Sequence, residues 1–121
     1  MPARVVVVMR DHNFASATAH LLVAHGIQAV SFSRPMEALG HLDHAVHAEI
    51  LVTSGSFRGT QPTGLSIARV TRTRRPNLKV IFVDKPEVAP YVADDASAFM
   101  EMPVSADEIA QTVERLVHES H

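Results

Sequence analysis

The chain has 121 residues, enough for one hydrophobic core and short for two, so a single domain over residues 1–121 is expected. Hydrophobic residues make up 46% and charged residues 20%, which excludes the signature of a disordered chain. A formal charge of -2 gives no overall attraction for nucleic acid, the lack of cysteine excludes disulfides and thiol chemistry, and no apolar run approaches the roughly 18 residues of a membrane span. The expectation is a cytoplasmic domain with neither nucleic acid nor membrane as partner.

Arg4 to Met9 is a short apolar run rich in β-branched residues, which predicts a strand buried on both faces. From Asn13 the pattern turns helical, with Phe14, Ala17, Leu21, Leu22 and Ala24 recurring on one side and Gly26 as the C-terminal cap. Gln28 to Phe32 reads as a second strand, followed by a helix capped by Ser33 with Met36, Leu39 and Leu42 on its apolar stripe. Glu49 to Thr53 predicts the third strand, Leu65 to Thr73 the third helix and Lys79 to Val83 the fourth strand. Between Asp84 and Met102, Pro86 and Pro90 interrupt the place of a fourth helix, which should be brief. A weaker strand over Ala98 to Met102 precedes a final helix, which opens on Ser105 and Glu108 as a capping box and carries Ile109, Val113, Leu116 and Val117 on one face.

Strands alternating with helices through connections too long for hairpins imply a five-stranded parallel sheet in a three-layer αβα sandwich. In such folds the working cleft lies at the C-terminal strand ends. Here those ends carry Met9, Arg10 and Asp11, then Thr53, Ser54 and Gly55, then Asp84 and Lys85, and finally Met102 and Pro103.

This layout resembles a response-regulator receiver domain of two-component (phosphorelay) signalling, over essentially the whole chain, and the resemblance implies a flavodoxin-like fold. Receivers carry an acidic pair after the first strand, about sixteen residues before the glycine that ends the first helix; counted back from Gly26, that pair falls on Met9 and Arg10. The family's phosphoacceptor aspartate falls on Ser54, its threonine or serine after strand four on Asp84, and the lysine of its Lys-Pro pair on Met102. Phe99 matches the family's switch aromatic, and Asp11 alone keeps an acidic character.

These substitutions remove the family's chemistry. Phosphoryl transfer to a carboxylate needs a magnesium ion held by hard oxygen ligands. A serine hydroxyl at Ser54 is not a carboxylate, the guanidinium of Arg10 repels a cation, and Met102 cannot pair with phosphate. The expectation is a degenerate phosphorylation site, Met9, Arg10, Asp11, Ser54, Asp84 and Met102, with no metal and no cofactor. Arg10 would fill the magnesium position as a fixed cation, paired with Asp84 or Asp11.

Other candidates are weaker. Ser54 as a nucleophile has no base placed beside it by any motif. The stretch SGSFRGTQPTG, Ser54 to Gly64, could form an anion site from Arg10, Ser54, Gly55, Ser56 and Arg58, or be simply a lengthened loop. His41, His44 and His47 recur every third residue, which drifts off one helix face, so solvated histidines are the expectation. Arg69, Arg72, Arg74 and Arg75 complement the dipole at the end of the third helix. The reading is a stand-alone, non-enzymatic pseudo-receiver that acts by phosphorylation-independent protein-protein interaction. Its partner would be a sensor kinase, another regulator or itself as a homodimer. The alternative is a regulatory domain that binds a small anion or small molecule in the strand-end cleft; an enzyme of flavodoxin-like fold is the third hypothesis.

Overall fold

The computed structural model describes residues 3–44, 47–55 and 63–119. Its elements run β1 (Val5–Val8), α1 (His12–Ala24), β2 (Ala29–Phe32), α2 (Pro35–His44), β3 (Ile50–Thr53), α3 (Gly64–Arg74) and β4 (Lys79–Asp84). A 3-10 turn, Pro86–Val88, then leads into the single-turn α4 (Ala89–Val92), followed by β5 (Ala98–Glu101) and α5 (Ala106–Glu119). The strands form one parallel sheet in the order β2-β1-β3-β4-β5. This is the flavodoxin-like α/β architecture expected from the alternation of elements.

β1 explains why the sheet needs two helical layers. All four of its valines are fully buried. Val5 and Val7 join the core beneath α1 and α5, with Leu22, Ile109 and Val113; Val6 and Val8 join the opposite core, with Leu42, Ile67 and Phe82. A strand covered on both faces has no polar side to show, so hydropathy along it does not alternate.

The helices begin where their caps allow. Asp11 caps α1 by accepting from the Phe14 N–H at 3.1 Å, and Thr63 caps α3 by accepting from the Ser66 N–H at 3.0 Å. The box at α5 forms as expected: Ser105 Oγ accepts from the Glu108 N–H at 3.1 Å, and Glu108 Oε1 from the Ser105 N–H at 3.3 Å. Gly26 ends α1 with a φ of 85°, a left-handed conformation that glycine adopts without strain. α4 is brief, as the two prolines dictated.

Two predicted faces are corrected. In α1 the buried residues are Ala15, Thr18, Ala19 and Leu22, while Ala17 and Ala24 face solvent. An alanine has too little apolar area to define a face, and buried Thr18 is tolerated because its hydroxyl donates to the Phe14 carbonyl at 2.8 Å. In α2 the helix starts at Pro35, one residue later than a Ser33 cap requires, and its buried residues are Pro35, Ala38 and Leu42. Met36 is consequently 57% exposed and Leu39 only partly buried.

The arginines of α3 do more than complement its dipole. Arg69 pairs with Asp95 at 3.1 Å, and Arg72 donates to the Leu78 carbonyl at 3.0 Å and to the Asp95 carbonyl. Arg74 reaches Asp43 at 3.5 Å, and Arg75 donates to the Leu42 carbonyl at 2.7 Å. They tether α3 to the α4–β5 connection and to the end of α2.

Among the described residues no helix is long and apolar enough to cross a membrane, and no group of three His, Cys, Asp or Glu side chains could hold a metal ion. The His41 ring instead lies 5.4 Å from that of Phe32.

Candidate functional site

Parallel pairing brings the C-terminal ends of β1, β3 and β4 side by side: Val8 is in register with Thr53, and Thr53 with Phe82. The residues that follow these strands therefore share one rim of the sheet. At the end of β1, Met9 turns inward and is 3% exposed, so it serves the core beneath α1 and α5. Asp11 is engaged as the cap of α1, and Arg10 between them faces solvent.

The rim is organised around Asp84. Asp84 is 9% exposed, and its carboxylate accepts two backbone hydrogen bonds, Oδ2 from the Gly55 N–H at 2.9 Å and Oδ1 from the Lys85 N–H at 2.8 Å. The first of these spans 29 residues of sequence and ties the chain leaving β3 to the end of β4. Gly55 is held so closely that an added Cβ would lie 2.7 Å from Val88 Cγ1 and 3.2 Å from Val92 Cγ1. The chain after β3, the end of β4 and the α4 segment thus form one closely packed unit.

Gly64 supplies a second close approach. A Cβ there would lie 1.8 Å from the Ser54 carbonyl oxygen and 2.5 Å from Thr53 Oγ1. Thr53 is fully buried and donates its hydroxyl hydrogen to that same Ser54 carbonyl at 3.0 Å. Ser54 itself is half-buried. On β5, Phe99 is half-buried against the core that holds Phe82 and Val92. Met102, 45% exposed, donates its N–H to the Asp84 carbonyl at 2.9 Å and precedes a cis proline.

The expected ion pair of Arg10 with Asp84 or Asp11 is corrected: among the described residues no hydrogen bond or ion pair joins them. Both carboxylates are satisfied by backbone N–H groups, while the exposed guanidinium keeps its hydration, which a weak surface pair would not repay. Arg10→Ala is therefore expected to change stability by less than about 0.5 kcal/mol, readable as an unmoved denaturation midpoint. The donor set also does not fit magnesium. Of its two carboxylates, Asp11 is taken by the α1 cap and Asp84 by the Gly55 and Lys85 N–H groups, and the methionine and guanidinium beside them are no ligands for a hard octahedral cation.

The structure thus brings Asp84, Gly55 and Ser54 onto one rim, with Arg10, Asp11 and Met102 around it. Ser56 and Arg58, named for an anion site, lie outside the described residues. Sequence reasoning missed the roles of Gly55, Gly64, Val88 and Val92. The available signal was a glycine directly after a strand end, which marks close backbone approach.

No family model and no curated protein sequence matches the chain. Solved structures do. The receiver domain of the Francisella response regulator 1452 superposes with a TM-score of 0.81 at 18% identity, covering 100% of both chains. A response-regulator receiver domain protein from Clostridium thermocellum gives 0.80 at 15% identity, covering 98% of this chain and 96% of its own. NtrX from Brucella abortus gives 0.84 at 21% identity over 99% of this chain, which spans 28% of the length of NtrX. The chain has the fold of response-regulator receiver domains.

Proposed function

We propose that this chain is a pseudo-receiver, a signalling module of two-component pathways that acts by binding protein partners and is not itself phosphorylated. The observation that carries this reading is the Asp84 carboxylate seated on the Gly55 N–H. Gly55 follows the position where a receiver holds its phosphoacceptor, so a phosphoryl group arriving there would meet a buried negative charge and an amide that already has a partner. The acceptor position itself is a serine, and the two described rim carboxylates, Asp11 and Asp84, are each engaged with backbone N–H groups. Phosphoryl transfer depends almost wholly on positioning and charge neutralisation, and a serine beside engaged carboxylates and an arginine is poorly suited to either.

The same hydrogen bond weighs against the alternative, a small-anion site in this cleft. Such a site would draw on the Gly55 amide, and Asp84 would repel the ligand. A docking role needs neither an acceptor nor a metal. It needs a stable surface, and the packing of Gly55 against Val88 and Val92 supports one beside α4 and β5.

Incubating the protein with acetyl phosphate and magnesium, followed by intact-mass measurement, tests the first half of the reading. The expected spectrum is that of unmodified protein, and a stoichiometric phospho-adduct overturns the proposal. Binding to purified sensor kinases and response regulators of the native cell, with and without a phosphodonor, tests the second half. Affinity that the phosphodonor leaves unchanged is the expected result.

A further inference from the structure

The parallel pairing that gathers the C-terminal strand ends also gathers the N-terminal ones, at the far end of the sheet from Asp84. Ile50, which opens β3, is in register with Lys79, which opens β4. Beside them lies a cavity of about 420 Å³, lined by Ala48 and Glu49 before β3 and by the turn from Arg74 to Leu78 before β4. That volume falls within the roughly 300–1,000 Å³ of small-molecule sites.

Hydrogen bonds fix the walls. The Leu78 N–H donates to the Arg75 carbonyl at 3.1 Å and the Lys79 N–H to the Glu49 carbonyl at 3.0 Å. The guanidinium groups of Arg72 and Arg75 donate to the carbonyls of Leu78 and Leu42 at 3.0 and 2.7 Å. A cavity built in this way needs little ordering when a ligand arrives, so less of the binding energy is lost.

The lining carries both signs of charge, and the two do not meet: among the described residues no ion pair joins Glu49 to Arg74. Glu49 engages Arg4 through Oε2, which leaves Oε1 without a partner among the described residues. The Arg74 side chain is 71% exposed and reaches Asp43 at 3.5 Å, a long surface contact of the kind that contributes little and is readily exchanged. Asn77 is exposed in the same turn and brings an amide donor, while Ala48, Pro76 and Leu78 make the rest of the lining apolar.

We propose that this cavity binds a zwitterion, a free α-amino acid with an apolar side chain. Its carboxylate meets the Arg74 guanidinium and the Asn77 amide, its ammonium meets Glu49 Oε1, and its side chain lies against Ala48, Pro76 and Leu78. The guanidinium fork matches a carboxylate in geometry as well as charge. A dianion is a poorer occupant because Glu49 lines the cavity and Asp43 stands beside Arg74, and a simple amine is poorer because Arg74 repels it. The proposal does not rest on the docking reading, since the cavity lies at the opposite end of the sheet and uses none of the residues around Asp84.

The test is a titration of the isotope-labelled full chain, read by amide chemical shifts, with three probes: leucine, 4-methylpentanoate, which lacks its amino group, and 3-methylbutylamine, which lacks its carboxylate. The expected result is saturable binding of leucine with shifts centred on residues 48–49 and 74–78, and binding of each of the other two weaker by about tenfold or more. Glu49→Gln should weaken leucine about tenfold and leave 4-methylpentanoate nearly unchanged, whereas Arg74→Gln should weaken both; Arg10→Gln, at the other end of the sheet, should alter neither. No saturable shift up to about 10 mM leucine, shifts centred elsewhere, or equal affinity for leucine and 4-methylpentanoate overturns the proposal. Equal losses of all three probes in both cavity variants also overturn it, because they mark a structural role for Glu49 and Arg74. Any of these outcomes leaves the docking reading standing, which the phosphodonor assay decides separately.

Discussion

Gly64→Ala is expected to be among the most damaging single substitutions in this chain. Its new methyl group would lie 1.8 Å from the Ser54 carbonyl oxygen and 2.5 Å from Thr53 Oγ1, far inside van der Waals contact. The atoms in the way are a backbone carbonyl and the hydroxyl of a fully buried threonine, neither of which can swing aside as the tip of a long side chain could. Relief requires α3 to move away from the end of β3, which opens the core around Ile67 and Ala68. We expect a loss at or above the upper end of the roughly 1–3 kcal/mol that overpacking costs. The thermal midpoint should fall by about 10 °C or more. Gly40→Ala is the control. Gly40 lies in the interior of α2 with nothing within 4 Å of an added Cβ, so alanine there should stabilise by roughly 0.5–1 kcal/mol through helix propensity. Equal effects of the two substitutions in calorimetry would contradict the packing described for Gly64.

Asp84→Ala should have the second large effect, with a different signature. Removing the carboxylate leaves the Gly55 N–H buried without its partner and frees the Lys85 N–H as well. An unpaired buried donor costs about 1–3 kcal/mol, and the loss should concentrate where the bond was. Amide hydrogen exchange should therefore speed up at Gly55 and through residues 85–92, while the amides of β1 stay protected, because their ladder to β2 and β3 does not involve Asp84. Asp84→Asn keeps an acceptor oxygen and should lose less than alanine does. Uniform acceleration over the whole chain, or none at Gly55, would show that Asp84 does not hold the rim together. The experiment also bears on function, since Val88 and Val92, which pack against Gly55, belong to the segment that carries exposed Tyr91.

Comparing the two positions shows which parts of the molecule could be read in advance. The capping box at Ser105 and Glu108, the glycine that ends α1 and the prolines that shorten α4 were all legible, because each depends on residues within about four positions of one another. The burial of β1 was legible for a related reason, since a run of valines has no polar face to offer solvent. Arg10 was misread. Its place beside two acids in the fold suggested a pair, yet Asp11 finds its partner three residues ahead and Asp84 finds one across the sheet. The faces of α1 and α2 were misread in part because alanine and methionine signal burial weakly, and the neighbouring elements decide which side is covered.

By itself, then, the sequence determined the order of elements, the capping box of α5, the glycine that ends α1 and the burial of β1. Only the tertiary structure decided that Asp84 holds the Gly55 amide, that Gly64 admits no side chain and that the α3 arginines are tethers. Caps and periodicities are short-range properties of the chain. Gly55 lies 29 residues from Asp84, Asp95 lies 26 from Arg69 and Leu42 lies 33 from Arg75, and only the parallel crossovers bring them together.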